Sequence, residues 1–577
     1  MARGTKLAGG LGVLGLCGTA AAQTLEDARL LAETVATGLA RPTCFTFLGE
    51  ADLLVVENDT GRVVRVQGGV VTGAVLDLAV AAQGGLGIVR APDFAASGHV
   101  FLYYGASAGG GDGGGWGGNR LVRYTFDGAA LVDPRGPLLE VPFDPAQANP
   151  PDHDSGLLRF GPDGMLYGQV GDKHRGRFAN PRVEQNTASA GSARAGGIFR
   201  IRPDGGIPSD NPFAAELDPA LRPWFVVGFR NSLGMDFDPL TGALWFGDNG
   251  STSYDELNRA GAGMNGGWLK IMGPDARDAT YSENGDTAFD AGDLVFLPGA
   301  FYRDPELSWA ECIGLTAVCF LGSKRFPEDL QGDLLLADFN NFQLYRLELE
   351  AARTGLVLGG PLADGVADSP AERDLARFGQ GFGVVTDMQV GPDGWLYLTD
   401  YYGGRLRRIR PRVDLVEPSA VEVERGALAA GGLAELERSD ERYLALTGER
   451  AGGRPEVAAA WVATFALNRG VPARIDVVLE SHASVPGARQ RIELWHRPSA
   501  SWRSLDERAL GRRDQSVTLE DLEHPADYVD PLERTLRVRV RQSAVQAAAP
   551  GRLGVGGGPG PRFEGRTDLA RVLVTWP

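Results

Sequence analysis

Two stretches share one pattern: LLRFGPDGMLYGQVGD at Leu157–Asp172 and DMQVGPDGWLYLTD at Asp387–Asp400. In both, apolar residues alternate with polar or small ones on either side of a Gly-Pro-Asp-Gly turn. Such alternation is typical of strands with one buried face, and glycine readily adopts the positive φ that a tight turn requires. We therefore predict two β-hairpins whose second strands run into an aspartate.

Looser copies of this unit recur along the chain. They lie at Phe45–Asp59, Gly87–Tyr104, Gly234–Asp248 and Phe320–Asp338. Several copies are followed by a strand rich in Arg and Val or Leu, such as GRLRRIRP at Gly404–Pro411. One such unit cannot bury its apolar faces alone, so about six copies should stack around an axis. We predict an all-β fold, a six-bladed β-propeller over residues 35–411, with a long sandwich array as the structural alternative. Asp338 and Asp400, which close strands, are interpreted as solvated turn caps.

The repeat stops after Pro411, and the pattern of the remaining chain differs. LRVRVRQ at Leu536–Gln542 places Leu, Val and Val on one face and three arginines on the other. IDVVLES, RIELWHR and RVLVTWP are further predicted strands. We interpret residues 412–429 as a linker and residues 430–577 as an accessory β-sandwich domain.

Composition excludes one class of partner. Glycine accounts for 81 of 577 residues and proline for 35, which indicates many tight turns. Lys plus Arg number 57 against 74 Asp plus Glu, so the net charge is −17. A surface this acidic repels phosphate backbones, and we expect no nucleic-acid partner.

The first 22 residues have the features of a secretory signal peptide. Arg3 and Lys6 supply the positive region, Leu7–Leu16 the apolar stretch, and Ala20–Ala22 a small-residue cleavage site. A short buried helix is the alternative interpretation. No later stretch approaches the length of about 18 apolar residues that a transmembrane helix needs. We therefore expect an exported protein, periplasmic or extracellular, without a transmembrane segment.

The four cysteines bear on export in two ways. Cys17 could carry a lipoprotein anchor, but Leu16 stands where a small residue would be expected, so anchoring is the less favoured alternative. Removal of the leader leaves Cys44, Cys312 and Cys319, and an odd number leaves at least one free thiol. A bridge between Cys312 and Cys319 remains open.

Four polar groups stand in loops between predicted strands. They are Asp152-His153, Arg230-Asn231, Asp248-Asn249-Gly250 and the segments YDELN and GMNGGW that follow, together with Trp309 ahead of the fifth blade. The loops of one propeller face converge on the central channel, so residues distant in sequence can meet there. We expect these groups to surround the mouth of the channel.

The order of these motifs resembles the soluble glucose/sorbosone dehydrogenase family. The resemblance rests on Asp-His-x-Ser-Gly ahead of a Gly-Pro-Asp-Gly hairpin, then Arg-Asn, Asp-Glu-Leu-Asn and Asn-Gly-Gly-Trp. It covers residues 35–411, and the tail lies outside it. The resemblance implies a six-bladed propeller that uses pyrroloquinoline quinone and calcium. It also implies hydride transfer from the anomeric carbon of an aldose sugar to the quinone, with electrons passed to an external acceptor.

The resemblance implies a role for each matching residue. His153 would be the general base for the anomeric hydroxyl, with Asp152 orienting the imidazole or contacting the cofactor. Arg230 would stabilise negative charge on the quinone oxygen. Carbonyls of Gly250 and Ser251 would hold calcium. The remaining implied cofactor contacts are Gln83, Asn231, Asn249, Asn340 and Trp309.

Three positions depart from the family pattern. Asn340 stands where the family has a lysine, and Val384 and Thr386 stand where arginines precede Asp387. Those cations would pair with the three carboxylates of the cofactor. The departures support an alternative, a propeller that has lost the cofactor and binds carbohydrate or protein in the same channel. A third possibility is that the C-terminal domain sets the location, for example by gripping an envelope polymer.

Overall fold

The structure is a computed structural model. It describes residues 23–143, 152–173, 180, 182–188, 191–192, 194–280, 289–436, 444–450, 456–467, 472–485, 487–511, 515–519, 524–545 and 564–575. The predicted signal peptide, residues 1–22, lies outside these ranges. The chain divides between Arg410 and Pro411 into two compact units.

Helices are few and short. Within the described ranges the α-helices are Phe94–Ser97 and Pro370–Arg373. The 3-10 helices are Val183–Gln185, Asp275–Thr280, Ala291–Asp293, Glu328–Leu330, Gly360–Asp364, Asp374–Ala376, Ala434–Leu436 and Pro525–Asp527. No helix in the part of the chain that the structure describes is long and apolar enough to cross a membrane.

Six sheets follow one another along the first unit, and we number them blades 1 to 6. From the innermost strand outward, blade 1 has Pro42–Gly49, Asp52–Glu57, Arg62–Gln67 and Val70–Asp77, and blade 2 has Val80–Arg90, His99–Ser107, Trp116–Phe126 and Leu131–Val141. Blade 3 has Leu158–Phe160, Leu166–Val170, Gly197–Ile201, Trp224–Val227, Met264–Asn265 and Phe301–Tyr302. Blade 4 has Ser232–Phe237, Leu244–Asp248, Asp255–Arg259, Leu307–Trp309 and Val366–Ala367. Blade 5 has Leu315–Phe320, Leu334–Asp338, Gln343–Leu347, Arg377–Gln380 and Thr24–Leu25, and blade 6 has Met388–Val390, Leu396–Asp400, Arg405–Pro411 and Leu30–Thr37.

The six blades form a closed ring. Each blade packs against the next through its inner strands, and blade 6 packs against blade 1. The strand Leu30–Thr37, from the start of the chain, pairs beside Arg405–Pro411 and so joins the first and last segments of the unit in one sheet. Apolar side chains of neighbouring blades share buried clusters. The prediction of a six-bladed β-propeller is confirmed, and its strands begin at Thr24.

The Gly-Pro-Asp-Gly hairpins of blades 3 and 6 are near copies. The Asp163 carboxylate accepts hydrogen bonds from the backbone N–H two residues on (3.0 Å) and the tyrosine hydroxyl four residues on (3.0 Å). Asp393 repeats both bonds at 3.1 and 2.7 Å. Gly164 and Gly394 have φ of +74° and +78°, which a Cβ would strain. The turn chemistry read in the sequence therefore forms as predicted.

A buried ionic network crosses the channel. Arg159, on the innermost strand of blade 3, donates to Asp387 of blade 6 at 2.5 Å. Blades 3 and 6 are opposite in a ring of six, so this pair spans the axis. Asp387 also accepts from the backbone N–H of Phe45 (3.2 Å), while Asp236 of blade 4 accepts from that of Phe320 in blade 5 (2.8 Å). The network therefore joins blades 1, 3 and 6, and ties blade 4 to blade 5.

The second unit contains two sheets that enclose one apolar core. The first sheet has Val413–Val416, Ala427–Ala430, Leu444–Thr447, Glu564–Thr575, Arg474–Ala483 and Gln515–Leu519. The second has Ala420–Arg425, Glu449–Arg450, Glu456–Ala466, Thr535–Val545, Val529–Asp530, Ala488–His496 and Ser501–Leu510. Leu536, Val538 and Val540 point into the core, as their alternation predicted. The C-terminal β-sandwich is confirmed.

The interpretation of residues 412–429 as a linker is wrong. Val413–Val416 pairs with Glu564–Thr575, and Ala420–Arg425 pairs with Glu456–Ala466. The segment therefore contributes strands to both sheets of the sandwich. Its alternation is short, which is why the sequence alone did not distinguish it from a connection.

Candidate active site

The upper face of the ring, defined as the face from which the innermost strands start, carries the predicted groups. Four aspartates close the second strands of blades 3 to 6 or follow them within two residues, and we call them the strand-end aspartates: Asp172, Asp248, Asp338 and Asp400. All four are buried. The interpretation of Asp338 and Asp400 as solvated caps is therefore wrong, because each is enclosed by its own blade.

His153 and Asp172 form a hydrogen-bonded dyad. The imidazole Nδ1 lies 2.7 Å from one carboxylate oxygen of Asp172, and the indole N–H of Trp268 donates to the other at 2.8 Å. An ionised carboxylate only accepts hydrogen bonds, so Nδ1 carries the proton and Nε2 is left as the basic nitrogen. Asp172, rather than the predicted Asp152, orients the ring. His153 has φ of +49°, a conformation that costs energy and concentrates at functional sites.

A second acid–base pair lies directly beside the dyad. The ammonium of Lys173 contacts the carboxylate of Asp154, and both side chains are buried. The amide of Asn119 also donates to Asp154 (3.0 Å), and the Lys173 ammonium lies 5.9 Å from the Trp116 ring centre. Burial lowers the pKa of Lys173 and raises the pKa of Asp154, since both lose solvation as ions. Two consecutive residues of one loop thus pair with two of another, 153 with 172 and 154 with 173.

Arg230 lies against the Trp268 side of this dyad. Its guanidinium is 5.6 Å from the centre of the Trp268 ring. One nitrogen, Nη1, donates to the carbonyls of Asn249 and Gly250, both at 2.9 Å. Its own carbonyl accepts from the backbone N–H of Asp172 at 2.7 Å. The imidazole, indole and guanidinium therefore follow one another along one side of the channel mouth.

Asp248 fixes the start of blade 4 beside Arg230. It accepts hydrogen bonds from the backbone N–H groups of Arg230 (2.9 Å) and Asn231 (2.8 Å). Burial raises the pKa of Asp248 to about 7, and those hydrogen bonds oppose the rise only in part. The Asn249 amide donates to the carbonyl of Asn231 at 3.1 Å, and the Ser155 hydroxyl donates to the Asn231 side chain at 3.2 Å. The structure thus brings His153, Arg230, Asn231 and Asn249 together as predicted.

The loop after Asp248 is rich in oxygen atoms that suit a hard cation. Asn249 Oδ1, Ser251 Oγ and Ser253 Oγ are buried and have no hydrogen-bond partner within the described structure. Buried polar atoms are normally paired, so three unpartnered oxygens on one loop are available as ligand donors. Calcium takes such oxygens, including backbone carbonyls. The donors present therefore fit the predicted calcium site at Gly250 and Ser251, although Arg230 Nη1 shares the Gly250 carbonyl.

Gln83 and Trp309, two predicted cofactor contacts, differ in their location and burial. Gln83 lies on the innermost strand of blade 2, half-buried, and its carbonyl accepts from the Asn58 amide at 2.9 Å. Trp309 is 1 % exposed on the fourth strand of blade 4, packed 6.4 Å from the ring of Tyr345. Trp309 cannot stack on a ligand in the channel, so that prediction is wrong.

The three departing positions place no cation on the blade 5 and 6 side of the mouth. The Asn340 amide donates to the carbonyl of Cys312 at 2.8 Å and so holds the loop ahead of blade 5. Val384 is buried, and the Thr386 hydroxyl donates to the carbonyl of Pro42 at 3.1 Å. All three are committed to packing or to loop structure. These three positions therefore supply no positive charge for tricarboxylate recognition.

Cys44, Cys312 and Cys319 are free thiols, so Cys312 and Cys319 are not bridged. Cys44 and Cys319 are buried, and burial raises the pKa of each thiol. A buried, protonated thiol is unreactive.

Sequence reasoning missed Asp172, Trp268 and the Lys173–Asp154 pair. Asp172 is the last residue of the Leu157–Asp172 hairpin, and Trp268 ends the Asn-Gly-Gly-Trp motif. Both therefore belong to motifs that were recognised, but no role was predicted for either. The adjacency of two charged residues in each loop, His153-Asp154 and Asp172-Lys173, is the signal that could have found the second pair.

A propeller with a histidine–aspartate dyad and an arginine at one mouth of its channel defines a class of proteins with acid–base capability at the ring axis. Within that class the chain belongs to the glucose/sorbosone dehydrogenase family, whose sequence model matches residues 39–408. It is 28% identical over 333 residues to the aldose sugar dehydrogenase YliI of Escherichia coli (strain K12), covering 57% of this chain and 78% of that protein. It is 31% identical over 165 residues to quinoprotein glucose dehydrogenase B of Acinetobacter calcoaceticus, covering 26% and 32%. A solved glucose dehydrogenase structure superposes with a TM-score of 0.50 at 25% identity, over 66% of this chain and 99% of that one.

Proposed function

We propose that the chain is an exported sugar dehydrogenase that oxidises an aldose at its anomeric carbon, with pyrroloquinoline quinone as hydride acceptor and an external acceptor for the electrons. The observation that carries the proposal is the His153–Asp172 dyad beside Arg230. Membership of the family and the related aldose dehydrogenase support the sugar class. The predicted signal peptide supports a periplasmic or extracellular site.

The residues present fit the cofactor at its reacting end. Arg230 with the side-chain amide of Asn231 would hold that end, whereas the amide of Asn249 donates to the carbonyls of Asn231 and Leu315. Gly250 and Ser251 would supply calcium ligands. The unpartnered oxygens of the 249–253 loop favour this assignment. When bound, the quinone supplies the two-electron acceptor that no side chain provides.

His153 would hold and move the proton. Asp172 fixes Nδ1–H, so Nε2 accepts the proton of the anomeric hydroxyl as the C–H bond is broken. The imidazolium formed is then stabilised by the adjacent carboxylate. Trp268 keeps that carboxylate in place through its second oxygen. Proton transfer of this kind contributes about 10²–10⁴-fold to a rate.

Arg230 would act through its fixed charge. Its guanidinium is held by two carbonyls and the Trp268 ring before any ligand arrives. A preorganised charge in a partly enclosed site stabilises developing negative charge without reorganising. Calcium bound at the Gly250 carbonyl would compete with Arg230 for one acceptor, so metal binding and the position of Arg230 are linked.

A second candidate function is a propeller without cofactor that binds carbohydrate or protein. Asn340, Val384 and Thr386 favour it, because none can pair with a carboxylate as a cation. A hydrogen bond to a charged group contributes roughly 1.5–3 kcal/mol, so three losses weaken binding considerably.

Reconstitution tests the proposal. The chain from Gln23 onward is mixed with pyrroloquinoline quinone and calcium, and aldose-dependent dye reduction is followed. We expect saturable activity that His153→Ala abolishes and that His99→Ala, a half-buried histidine on blade 2, leaves unchanged. Absence of both activity and cofactor binding at high micromolar concentration would reject the proposal in favour of the binding module.

A further inference from the structure

An exposed aromatic cluster lies on the upper face, just beyond the second strands of blades 5 and 6. Phe339 and Phe342 follow the second strand of blade 5, and Tyr401 and Tyr402 follow the second strand of blade 6. Phe339, Phe342 and Tyr402 are 41%, 45% and 55% exposed. We call these four residues the aromatic platform.

The rings of blade 6 and one of blade 5 are in mutual contact. The ring centres of Phe339 and Tyr402 are 6.2 Å apart, and those of Tyr401 and Tyr402 are 5.0 Å apart. The Arg41 guanidinium, ahead of the first strand of blade 1, lies 5.9 Å from the Tyr402 ring and 6.0 Å from the Tyr401 ring. The Tyr401 hydroxyl donates to Asn58 at 2.9 Å. These contacts fix the rings in position before any ligand binds.

Phe342 is held in a costly conformation. Its φ is +56°, and a bulky side chain in the left-handed region is a rare outlier. Backbone N–H groups of Gly381 and Phe382 both donate to its carbonyl, at 3.0 and 3.3 Å. The Phe342 ring is therefore exposed to solvent on a strained backbone, and two hydrogen bonds hold that backbone in place. Strain and exposed apolar surface together are typical of ligand-binding sites.

A chain of hydrogen bonds links the platform to the loop that carries Gly250 in the candidate active site. The backbone N–H of Phe339 donates to the Gly314 carbonyl at 2.7 Å, and the N–H of Gly314 donates to Asp255 at 2.5 Å. The other oxygen of Asp255 accepts from the N–H of Gly250 at 2.8 Å. Blades 5 and 6 face blades 2 and 3 across the channel. A ligand that contacts both the platform and His153 would have to reach across the mouth of the channel.

Ring faces with hydroxyl edges suit a ligand with an apolar face and a polar rim, as a pyranose has. We infer that the aromatic platform binds further sugar rings of an oligosaccharide whose reacting end lies at His153. This inference rests on the proposed function and narrows its substrate class from any aldose to oligosaccharides.

The size of the platform favours a sugar over a docked protein. An aromatic side chain presents about 150–250 Å² in all, so three half-exposed rings and the less exposed Tyr401 offer a few hundred Å². A stable protein interface needs about 800 Å² from each partner. Two or three sugar rings match the smaller area.

Calorimetric titration of the full mature chain without cofactor tests the inference. The probes are glucose and three hexasaccharides, cellohexaose, maltohexaose and laminarihexaose. We expect at least one hexasaccharide to bind about tenfold more tightly than glucose, a difference well within calorimetric resolution. Tyr402→Ala and Phe339→Ala should each remove about that tenfold advantage and leave glucose binding unchanged.

Two matched variants control for general effects. Tyr402→Phe keeps the ring and should retain the hexasaccharide affinity. Leu240→Ala removes an exposed apolar side chain from the blade 4 hairpin on the opposite face and should change nothing. Circular dichroism establishes that the alanine variants are folded.

Three outcomes would overturn the inference. They are equal affinity for glucose and every hexasaccharide, no hexasaccharide binding up to about 10 mM, and unchanged affinity in the alanine variants. If the alanine variants instead slow electron transfer to a protein acceptor alone, the platform is a docking surface. The titration needs neither cofactor nor turnover, so inactivity in dye reduction would reject the proposed function and leave this result standing.

Discussion

Blades 3 and 6 are built alike and carry different chemistry. Each has a Gly-Pro-Asp-Gly hairpin with the same hydrogen bonds on the lower face. On the upper face each second strand leads to a buried aspartate. Asp172 receives the imidazole of His153, whereas Asp400 receives the guanidinium of Arg407 from its own blade at 2.9 Å.

Each repeat therefore supplies a buried aspartate, and the group that pairs with it determines whether that aspartate is structural or belongs to the candidate active site. Arg407 comes from the third strand of blade 6, so Asp400 closes its own sheet. His153 comes from the connection between blades 2 and 3, so Asp172 serves a group outside its sheet. Asp248 of blade 4 is a third case, because it accepts hydrogen bonds from neutral backbone and hydroxyl donors. Function therefore follows from the partner, and each partner can be removed.

Variants of Asp172 and Asp400 should differ most in kcat for sugar-dependent dye reduction. His153→Ala should lower kcat for sugar-dependent dye reduction by about 10²–10⁴-fold, since the general base is lost. Asp172→Asn keeps the shape of the dyad but no longer fixes the tautomer, and should cost kcat in the same direction. Asp400→Asn is the matched control and should leave kcat within twofold. Equal losses in Asp172→Asn and Asp400→Asn would show that the blades do not differ.

Loss of the Asp400 carboxylate should instead lower the stability of the fold. Asp400→Ala leaves the largely buried Arg407 guanidinium without its carboxylate and should lower the free energy of unfolding by about 3–5 kcal/mol. Urea unfolding followed by tryptophan fluorescence measures this change. The double variant Asp400→Ala, Arg407→Met should recover most of it, because an apolar pair needs no charge partner. A double variant as unstable as the single one would contradict this account.

Asp248 should make stability depend on pH. Its pKa is about 7 in the folded chain and about 3.9 when unfolded, so the folded state holds the proton more tightly. Its stabilising contribution is complete below pH 4 and is lost as pH rises to about 7, at up to roughly 1.4 kcal/mol per pH unit. Asp255 and Glu256, with pKa values of about 6 and 8, act in the same direction.

Urea unfolding in metal-free buffer between about pH 5 and 7 tests this slope. Asp248→Asn should flatten it by removing one titrating group, while Asp255 and Glu256 keep the remainder. An unchanged slope in Asp248→Asn would show that Asp248 stays ionised in the fold.

The smallest expected effect concerns the Lys173–Asp154 pair beside the dyad. Lys173→Met removes a positive charge and Asp154→Asn removes a negative charge from beside the dyad. We expect the two variants to change the reactivity of His153 in opposite directions, because one leaves net negative and the other net positive charge near the imidazole. Charged groups on the surrounding elements, Asp152 and Arg230, stay the same in both variants.

The readout is the rate at which diethylpyrocarbonate acylates His153, followed by mass spectrometry across pH. Acylation requires the neutral imidazole, so the rate reports the charge environment of His153 without cofactor or sugar. The double variant, with both charges removed, should return to the wild-type value. Shifts in the same direction for both single variants would contradict an electrostatic role.

The fold could be predicted from the sequence because the same alternating unit recurs along the chain. Six alternating units with turn chemistry define a ring, and Gly164 and Gly394 adopt the predicted positive φ. His153 and Arg230 were found for a similar reason, since both belong to motifs that precede a blade. Their roles as base and charge donor stay predictions.

What the sequence did not predict depends on contacts between blades. The link from His153 to Asp172 needs a loop with φ of +49° at a histidine, which no local pattern indicates. Trp309 is buried in an apolar cluster that includes Tyr345 of the next blade, which its own segment does not reveal. The Val413–Val416 strand is defined by a partner about 160 residues away.

The ion pair of Arg159 and Asp387 has a consequence for how ligands enter and leave the channel. Side chains from opposite blades meet on the axis. Under the proposed function, an axis blocked there would leave sugar, oxidised product and electron acceptor to share the opening at the upper face. Product would have to depart before the acceptor approaches, and steady-state kinetics would follow a ping-pong order in which product competes with the acceptor.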